Sequence, residues 1–140
     1  MNLKPELLET LLMLAALGQF IVAALNLRLE KILGWGPVIA SLPDLVREVF
    51  VVHKWFISIT LVIFATLTIR FASEFAGPGN EIARWLAAGI ALFWGIRTVI
   101  QWFYYGANHW RGKSRETLVH WLLTLVYGGW TVIYLIAALR

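Results

Sequence analysis

The chain has 140 residues, of which 60% are hydrophobic and 14% charged, and its formal net charge is +4. Soluble domains carry about 25% charged residues, so this composition excludes an ordinary soluble fold. The lack of cysteine excludes disulfides, thiolate metal sites and cysteine nucleophiles. Because membrane proteins use Lys and Arg to set their orientation, we expect no nucleic-acid binding from the positive charge.

Four apolar runs are long enough to cross a bilayer as helices, which takes roughly 20 residues each. They cover residues 7–27, 49–69, 82–105 and 118–139. Helices satisfy their own backbone in lipid, and the runs lack the alternation of transmembrane strands. The sequence therefore predicts an all-α integral membrane protein in which residues 1–140 form one domain. We expect four transmembrane helices in an up-down bundle with short loops.

The first two connections contain residues that end helices. Residues 34–37 read Gly-Trp-Gly-Pro, and the apolar residues 38–42 follow. Gly and Pro break the helix, and the apolar stretch predicts an interfacial segment on the membrane surface between the first two spans. Residues 76–80 predict a tight turn in which Asn80 caps the third span.

The third connection, residues 106–116, is short and basic, with Arg111, Lys113 and Arg115 close to Trp110. This pattern predicts attraction to anionic lipid headgroups, with docking of a soluble partner as the alternative. Lys and Arg are more frequent on the side of the membrane that holds this loop. The positive-inside rule therefore predicts that both termini lie outside the cytoplasm. Such compact multispanning chains are commonest in the bacterial inner membrane, where we expect this one.

Polar side chains recur at helical spacing in the third and fourth spans. The stripes are Arg97, Gln101, Tyr104 and Asn108 on the third span, and His120, Thr124, Tyr127, Thr131 and Tyr134 on the fourth. Polar groups at membrane depth usually face the interior of a helix bundle. The stripes therefore predict a partly polar interior, which either joins helices by hydrogen bonds or binds a ligand.

The first two spans carry shorter polar stripes: Gln19 with Asn26, and His53 with Thr60, each pair seven residues apart. Arg97 is the most demanding of the interior groups, because the apolar cores contain no carboxylate and Glu48 and Glu116 are the nearest. We take Arg97, Gln101, Tyr104, Tyr127, Gln19 and Asn26 as candidate ligand-binding residues, for a quinone or another polar headgroup. We predict no catalytic residue.

The two histidines within the spans, His53 and His120, are expected at similar depth, because the second and fourth spans run in the same direction. Facing histidines on two helices hold the iron of haem b in membrane cytochromes, and a metal ion can use the same pair. The alternative is that each histidine forms an ordinary hydrogen bond at an interface.

Three functions from different classes fit this pattern. The first is an accessory or structural subunit of a larger membrane complex. The second is a redox module that binds haem b or a quinone. The third is a small oligomeric transporter or membrane enzyme. The expected partners are the lipid bilayer and either other membrane subunits or further copies of the chain, and we favour the first, non-enzymatic function.

Overall fold

The computed structural model describes residues 3–104 and 114–140, apart from the side chains of Arg115 and Glu116. Within these residues every regular element is an α-helix, and four helices are long and apolar enough to cross a membrane. The predicted all-α class and the four spans are therefore confirmed. That the whole chain forms a single transmembrane domain stays a prediction.

Six helices follow one another in the described residues. They are α1 (Pro5–Ile32), α2 (Gly36–Ala40), α3 (Asp44–Arg70), α4 (Ala72–Ala76), α5 (Glu81–Phe103) and α6 (Ser114–Ala138). The spans are α1, α3, α5 and α6, whereas α2 is a short helix in the segment expected at the interface. The sequence did not predict α4, and it ended the first span before the charged last turns of α1.

The residues divide by their packing into two compact units. The α1–α3 unit is Met13–Arg70, and the α5–α6 unit comprises Met1–Leu12 together with Phe71–Arg140. Helix α1 contributes its first turns to the α5–α6 unit and the rest to the α1–α3 unit. One unit is therefore continuous in sequence, and the other is assembled from both ends of the chain.

Helix α1 ends in a motif that depends on a glycine. Gly34 has φ of +68°, and the N–H of Trp35 donates to the carbonyl of Glu30 at 2.9 Å. This is the Schellman arrangement, in which a left-handed residue lets the chain turn back onto the last free carbonyls of a helix. A side chain at position 34 would be strained in this conformation.

The core of the α5–α6 unit is formed by positions three and four residues apart on two antiparallel helices. The buried residues of α5 are Ala83, Ala87, Ile90, Ala91, Trp94 and Gln101, and those of α6 are His120, Thr124, Tyr127, Trp130, Tyr134 and Ala137. Small residues therefore lie at one end of the pair, aromatic rings in the middle and polar groups at the other end. Small side chains let membrane helices approach closely, which is where their packing energy comes from.

Arginine side chains bind free carbonyls at the small-residue end of this unit. Arg84 donates from Nε to the carbonyl of Ala138 at 3.1 Å, in the last turn of α6. Arg140 donates to the carbonyl of Ala76 at 2.6 Å and to that of Leu3. The last carbonyls of a helix have no intrahelical partner, and cations are favourable there. Three separate stretches of chain are thus joined at one end of the unit.

The turn before α5 agrees with the sequence prediction. The side chain of Asn80 accepts a hydrogen bond from the N–H of Ala83 at 3.1 Å, so its role as N-cap is confirmed. Just before this turn, Gly77 and Pro78 follow the end of α4. Because proline lacks an N–H and restricts the residue before it, α4 ends after five residues.

Candidate functional site

Two residues of the predicted interior stripes form a hydrogen bond between α5 and α6. Nε2 of Gln101 lies 3.0 Å from Nδ1 of His120, and the two residues are 3% and 8% exposed. In this orientation the amide of Gln101 donates to Nδ1, so the proton of a neutral imidazole lies on Nε2. Thr124 donates to the carbonyl of His120 at 2.8 Å, one turn along the same helix. The polar end of the pair is therefore internally bonded.

Next to this pair, a cation and three aromatic rings form a layer in the middle of the α5–α6 unit. The guanidinium of Arg97 lies 5.2 Å from the centre of the Tyr127 ring. Trp94 stacks on Tyr127 with the ring centres 5.0 Å apart, and it meets Trp130 edge-on at 4.5 Å. A desolvated cation–π contact contributes about 2 kcal/mol, and each aromatic pair about 0.5–1.5 kcal/mol. Arg97 and Tyr127, two of the candidate ligand-binding residues, are therefore in mutual contact.

The indole of Trp94 has an unusual environment for a polar group. The residue is 1% exposed, and its Nε1 has no hydrogen-bond partner within the described parts of the chain. A buried donor left without an acceptor costs about 1–3 kcal/mol. The ring contacts of Trp94 with Tyr127 and Trp130 offset part of this cost.

Tyr104 lies apart from the residues with which it was grouped. It follows directly after α5 and is 80% exposed, whereas Gln101, three residues earlier, is buried. Tyr104 is the C-cap of α5 and keeps helical backbone angles, with its N–H donating to the carbonyl of Ile100 at 3.0 Å, yet its side chain lies on the exposed surface. Asn108, the next member of the stripe, lies outside the described residues. The role of Tyr104 in binding a ligand stays a prediction.

In the α1–α3 unit, Asn26 joins the two helices. Its Nδ2 donates to the carbonyl of Lys54 at 3.0 Å and to the hydroxyl of Ser58 at 2.9 Å. Ser58 in turn donates to the carbonyl of Ala23 at 3.1 Å. Hydrogen bonds of this kind between membrane helices contribute on average about 0.6 kcal/mol each. The other candidate on α1, Gln19, is fully buried and donates to the carbonyl of Ala15 at 3.4 Å.

An ion pair in this unit was not predicted from the sequence. Glu30 of α1 and Lys54 of α3 form a salt bridge, and their side chains are 26% and 14% exposed. The apolar pattern predicts that the first span ends at residue 27, which places Glu30 in a connection. In the structure α1 continues to Ile32, so Glu30 belongs to the helix and its carboxylate lies beside Lys54 of α3. The opposite charges of Glu30 and Lys54 are the one sequence signal that could have indicated this contact between spans.

The face of α3 turned toward the protein is not the one expected. We predicted that His53 and Thr60 face the interior, but His53 is exposed and Thr60 only half-buried. The buried residues of α3 are Ser58, Leu61, Ala65 and Thr68. These positions also recur at steps of three and four, so the helical period fits both faces. Of these, Ser58 bonds to Asn26 and to the carbonyl of Ala23, so the face that contains Ser58 is the one turned toward α1.

The two histidines differ in which ring nitrogen carries the proton and which has a lone pair. Nδ1 of His53 lies 2.8 Å from the carbonyl of Val49, and a carbonyl only accepts, so this Nδ1 carries a proton. In a neutral imidazole Nε2 of His53 then has a free lone pair. For His120 the bond to Gln101 places the proton on Nε2 instead. Joint ligation of haem by His53 and His120 stays a prediction.

Other predicted features fall outside what the structure describes. Residues 105–113, which form most of the basic loop, are not described, so the binding of anionic lipid headgroups there stays a prediction. Of the two carboxylates suggested as partners for Arg97, Glu48 is an exposed residue of the α1–α3 unit, and the side chain of Glu116 is not described.

Comparison of the chain with protein-family models, with curated proteins and with solved structures finds no match in any of the three. The four candidate membrane spans identify the chain as a small multispanning integral membrane protein.

Proposed function

We propose that this protein is a structural or accessory subunit of a larger membrane complex, and that α3 is the helix through which it assembles. The carrying observation is a stripe on the exposed side of α3, at steps of four, three, four and three residues. This assembly stripe consists of Val49, His53, Phe56, Thr60 and Ile63. Residues at this spacing share one face of the helix, and His53 is the ionisable member of this face.

The composition of the assembly stripe supports a protein neighbour over lipid alone. Phe56 is 66% exposed, and His53 is exposed within the apolar run that begins at Val49. Ionisable side chains within a membrane almost always face protein or a water-filled cavity. Helix α3 is also the least covered span, since 17% of its most apolar stretch is buried against 33% for α1.

The interior polar groups support a structural role as well. Asn26 bonds to Ser58, and Gln101 bonds to His120, each across a pair of helices. Arg97 lies over Tyr127 in the same way. These contacts hold helices together, which is the usual use of amide, hydroxyl and imidazole groups in membranes. Such a rigid support suits a subunit that presents a surface to neighbours.

The proposal is tested by measuring the mass of the protein extracted from its native membrane in mild detergent. We expect a complex much heavier than one 15.9 kDa chain. Phe56→Ala should weaken this complex, and Trp55→Ala, which removes an exposed aromatic ring next to the stripe, should not. Recovery of only single chains from native membranes would reject the proposal.

A second function, a redox module that binds haem b, is favoured by one specific observation. The bond from Nδ1 of His53 to the carbonyl of Val49 fixes the ring and leaves Nε2 able to ligate a metal. Metal-binding histidines in proteins are commonly held in this way. A visible spectrum recorded before and after addition of dithionite tests this function. A Soret band that is lost in His53→Ala supports ligation of haem by His53, and a spectrum without a Soret band rejects haem binding. Quinone binding and the transporter or enzyme alternative stay predictions.

The proposed orientation, with both termini outside the cytoplasm, is open to a direct test because the chain has no cysteine. Ser41 and Glu81 are exposed residues in the first and second connections between spans, or directly beside them. In intact bacterial cells an impermeant maleimide should label Glu81→Cys and not Ser41→Cys. The opposite pattern would reverse the orientation.

A further inference from the structure

We propose that the neighbour on the assembly stripe is a transmembrane helix of a different chain that donates a hydrogen bond to Nε2 of His53. This inference rests on the proposed function and adds to it the chemistry of the partner. The donor on that helix is a hydroxyl, an amide or a cationic side chain, because these groups carry N–H or O–H bonds that reach a neighbouring helix.

The tautomer of His53 makes Nε2 an acceptor. Nδ1 is committed as a donor to the carbonyl of Val49, 2.8 Å away on the preceding turn. A neutral imidazole has one donor and one acceptor nitrogen, so Nε2 carries the lone pair. Within residues 3–104 and 114–140, His53 makes no hydrogen bond other than this one. The group that satisfies Nε2 therefore comes from outside these residues.

The position of His53 in the span makes a partner necessary. It lies four residues after Val49, where the apolar run of α3 begins, so its backbone is about 6 Å inside the run. Polar groups that enter hydrocarbon without a hydrogen-bond partner are costly. The neighbouring cation, Lys54, is held by Glu30 and does not compete for the same partner. An acceptor at this depth calls for a donor on a neighbouring helix.

A second copy of this chain fits the stripe poorly. Membrane dimers formed by the same face of two copies have their symmetry axis along the membrane normal, so α3 would meet α3 at equal depth. His53 would then face His53 or the apolar residues beside it, Val52 and Phe56. Two Nε2 lone pairs would face each other with no proton between them. The tautomer therefore favours a different chain, and the apolar members of the stripe supply the packing on either side of the hydrogen bond.

The experiment combines photo-crosslinking with a series of substitutions at one position. A photoreactive phenylalanine replaces Phe56 on the stripe or, as control, Trp55 beside it, and the cells are irradiated. We expect an adduct from position 56 and not from position 55, with a mass that differs from twice the chain. In the same background His53 is changed to Gln, which keeps an acceptor, to Lys, which offers only donors, and to Phe, which offers neither.

We expect the adduct yield of His53→Gln to stay within about twofold of the wild type, and that of His53→Lys and His53→Phe to fall about tenfold. His53→Asn replaces the Gln variant if the latter does not accumulate, and each purified variant is checked for an unchanged melting temperature. Equal yields for Gln and Lys would overturn the donor assignment while leaving the proposed subunit role intact.

The remaining outcomes separate the other occupants. An adduct with twice the chain mass would overturn the inference in favour of a second copy. A Soret band that disappears in His53→Ala would overturn it in favour of haem. If neither position yields a protein adduct and native membranes give only single chains, the proposed function fails together with the inference.

Discussion

The α1–α3 and α5–α6 units join pairs of membrane helices by different means. In the α5–α6 unit the buried contacts are large and mostly uncharged, with Trp94 stacked on Tyr127 and Gln101 bonded to His120. In the α1–α3 unit the specific contacts are Asn26 with Ser58 and Glu30 with Lys54. The α5–α6 pair is therefore held chiefly by packing area, and the α1–α3 pair by directed polar bonds.

The largest effect is expected from removal of the central ring in the α5–α6 unit. Trp94→Ala should lower the free energy of unfolding by about 3–5 kcal/mol, because it opens a cavity and removes two ring contacts. Trp102→Ala is the matched control, since Trp102 is on the same helix but 60% exposed. The free energy of unfolding of both variants is measured in mixed detergent. Equal losses would show that packing area does not dominate this unit.

A smaller effect is expected from breaking the ion pair of the α1–α3 unit. Glu30→Gln leaves the ammonium of Lys54 partly buried without its carboxylate, so stability should fall by about 1–3 kcal/mol. The double variant Glu30→Gln with Lys54→Met should recover most of this loss. Asp44→Asn, which breaks the exposed ion pair with Arg47, should cost less than about 0.5 kcal/mol. If the single and double variants lose the same amount, the pair does not join the helices.

The two interhelical hydrogen bonds allow a direct comparison between the units. Asn26→Ala removes two bonds and should cost about 1–2 kcal/mol, whereas Gln101→Leu removes one and should cost about 1 kcal/mol. Measured by the same unfolding assay, a larger loss for Gln101→Leu would mean that the polar end of the α5–α6 unit contributes more than its packing predicts.

The smallest effect is expected at the end of α1. Gly34→Ala should destabilise the protein by about 1 kcal/mol, because φ at this position is +68°. Gly36→Ala, two residues later, is the control: its φ is not in the left-handed region, and a Cβ there meets no atom of the described residues within 4 Å. A loss of equal size in both variants would remove the Schellman motif as the reason for the glycine.

The sequence predicted some features of the two units and not others. The four spans were predictable because a run of apolar residues of membrane length has few alternatives. Asn80 was predictable as a cap because its side chain suits the first turn of a helix. The end of α1 and the start of α3 were not, because charged residues such as Glu30, Asp44 and Arg47 lower the apparent hydropathy where the helices in fact continue.

Within the candidate site, periodicity correctly placed Gln101 and His120 on inward faces, because both helices have one buried side with steps of three and four residues. It failed for α3, where the faces that contain His53 and Ser58 have the same period. Choosing between them requires knowing which side chains permit close approach, and one sequence does not carry that information about a neighbouring helix. The partner of each polar group was unpredictable for the same reason.

The arginine contacts at the small-residue end of the α5–α6 unit have a consequence for the order of folding during synthesis. Arg140 binds the carbonyls of Leu3 and Ala76, and Leu3 precedes it by 137 positions in the sequence. The α1–α3 unit is continuous in sequence and can form as soon as residue 70 has entered the membrane. The hydrogen bond to the carbonyl of Leu3 can form only after residue 140 has been synthesised. The first turns of α1 therefore remain without these contacts until Arg140 has been synthesised, and deletion of Arg140 should disturb the start of α1 as much as the end of α6.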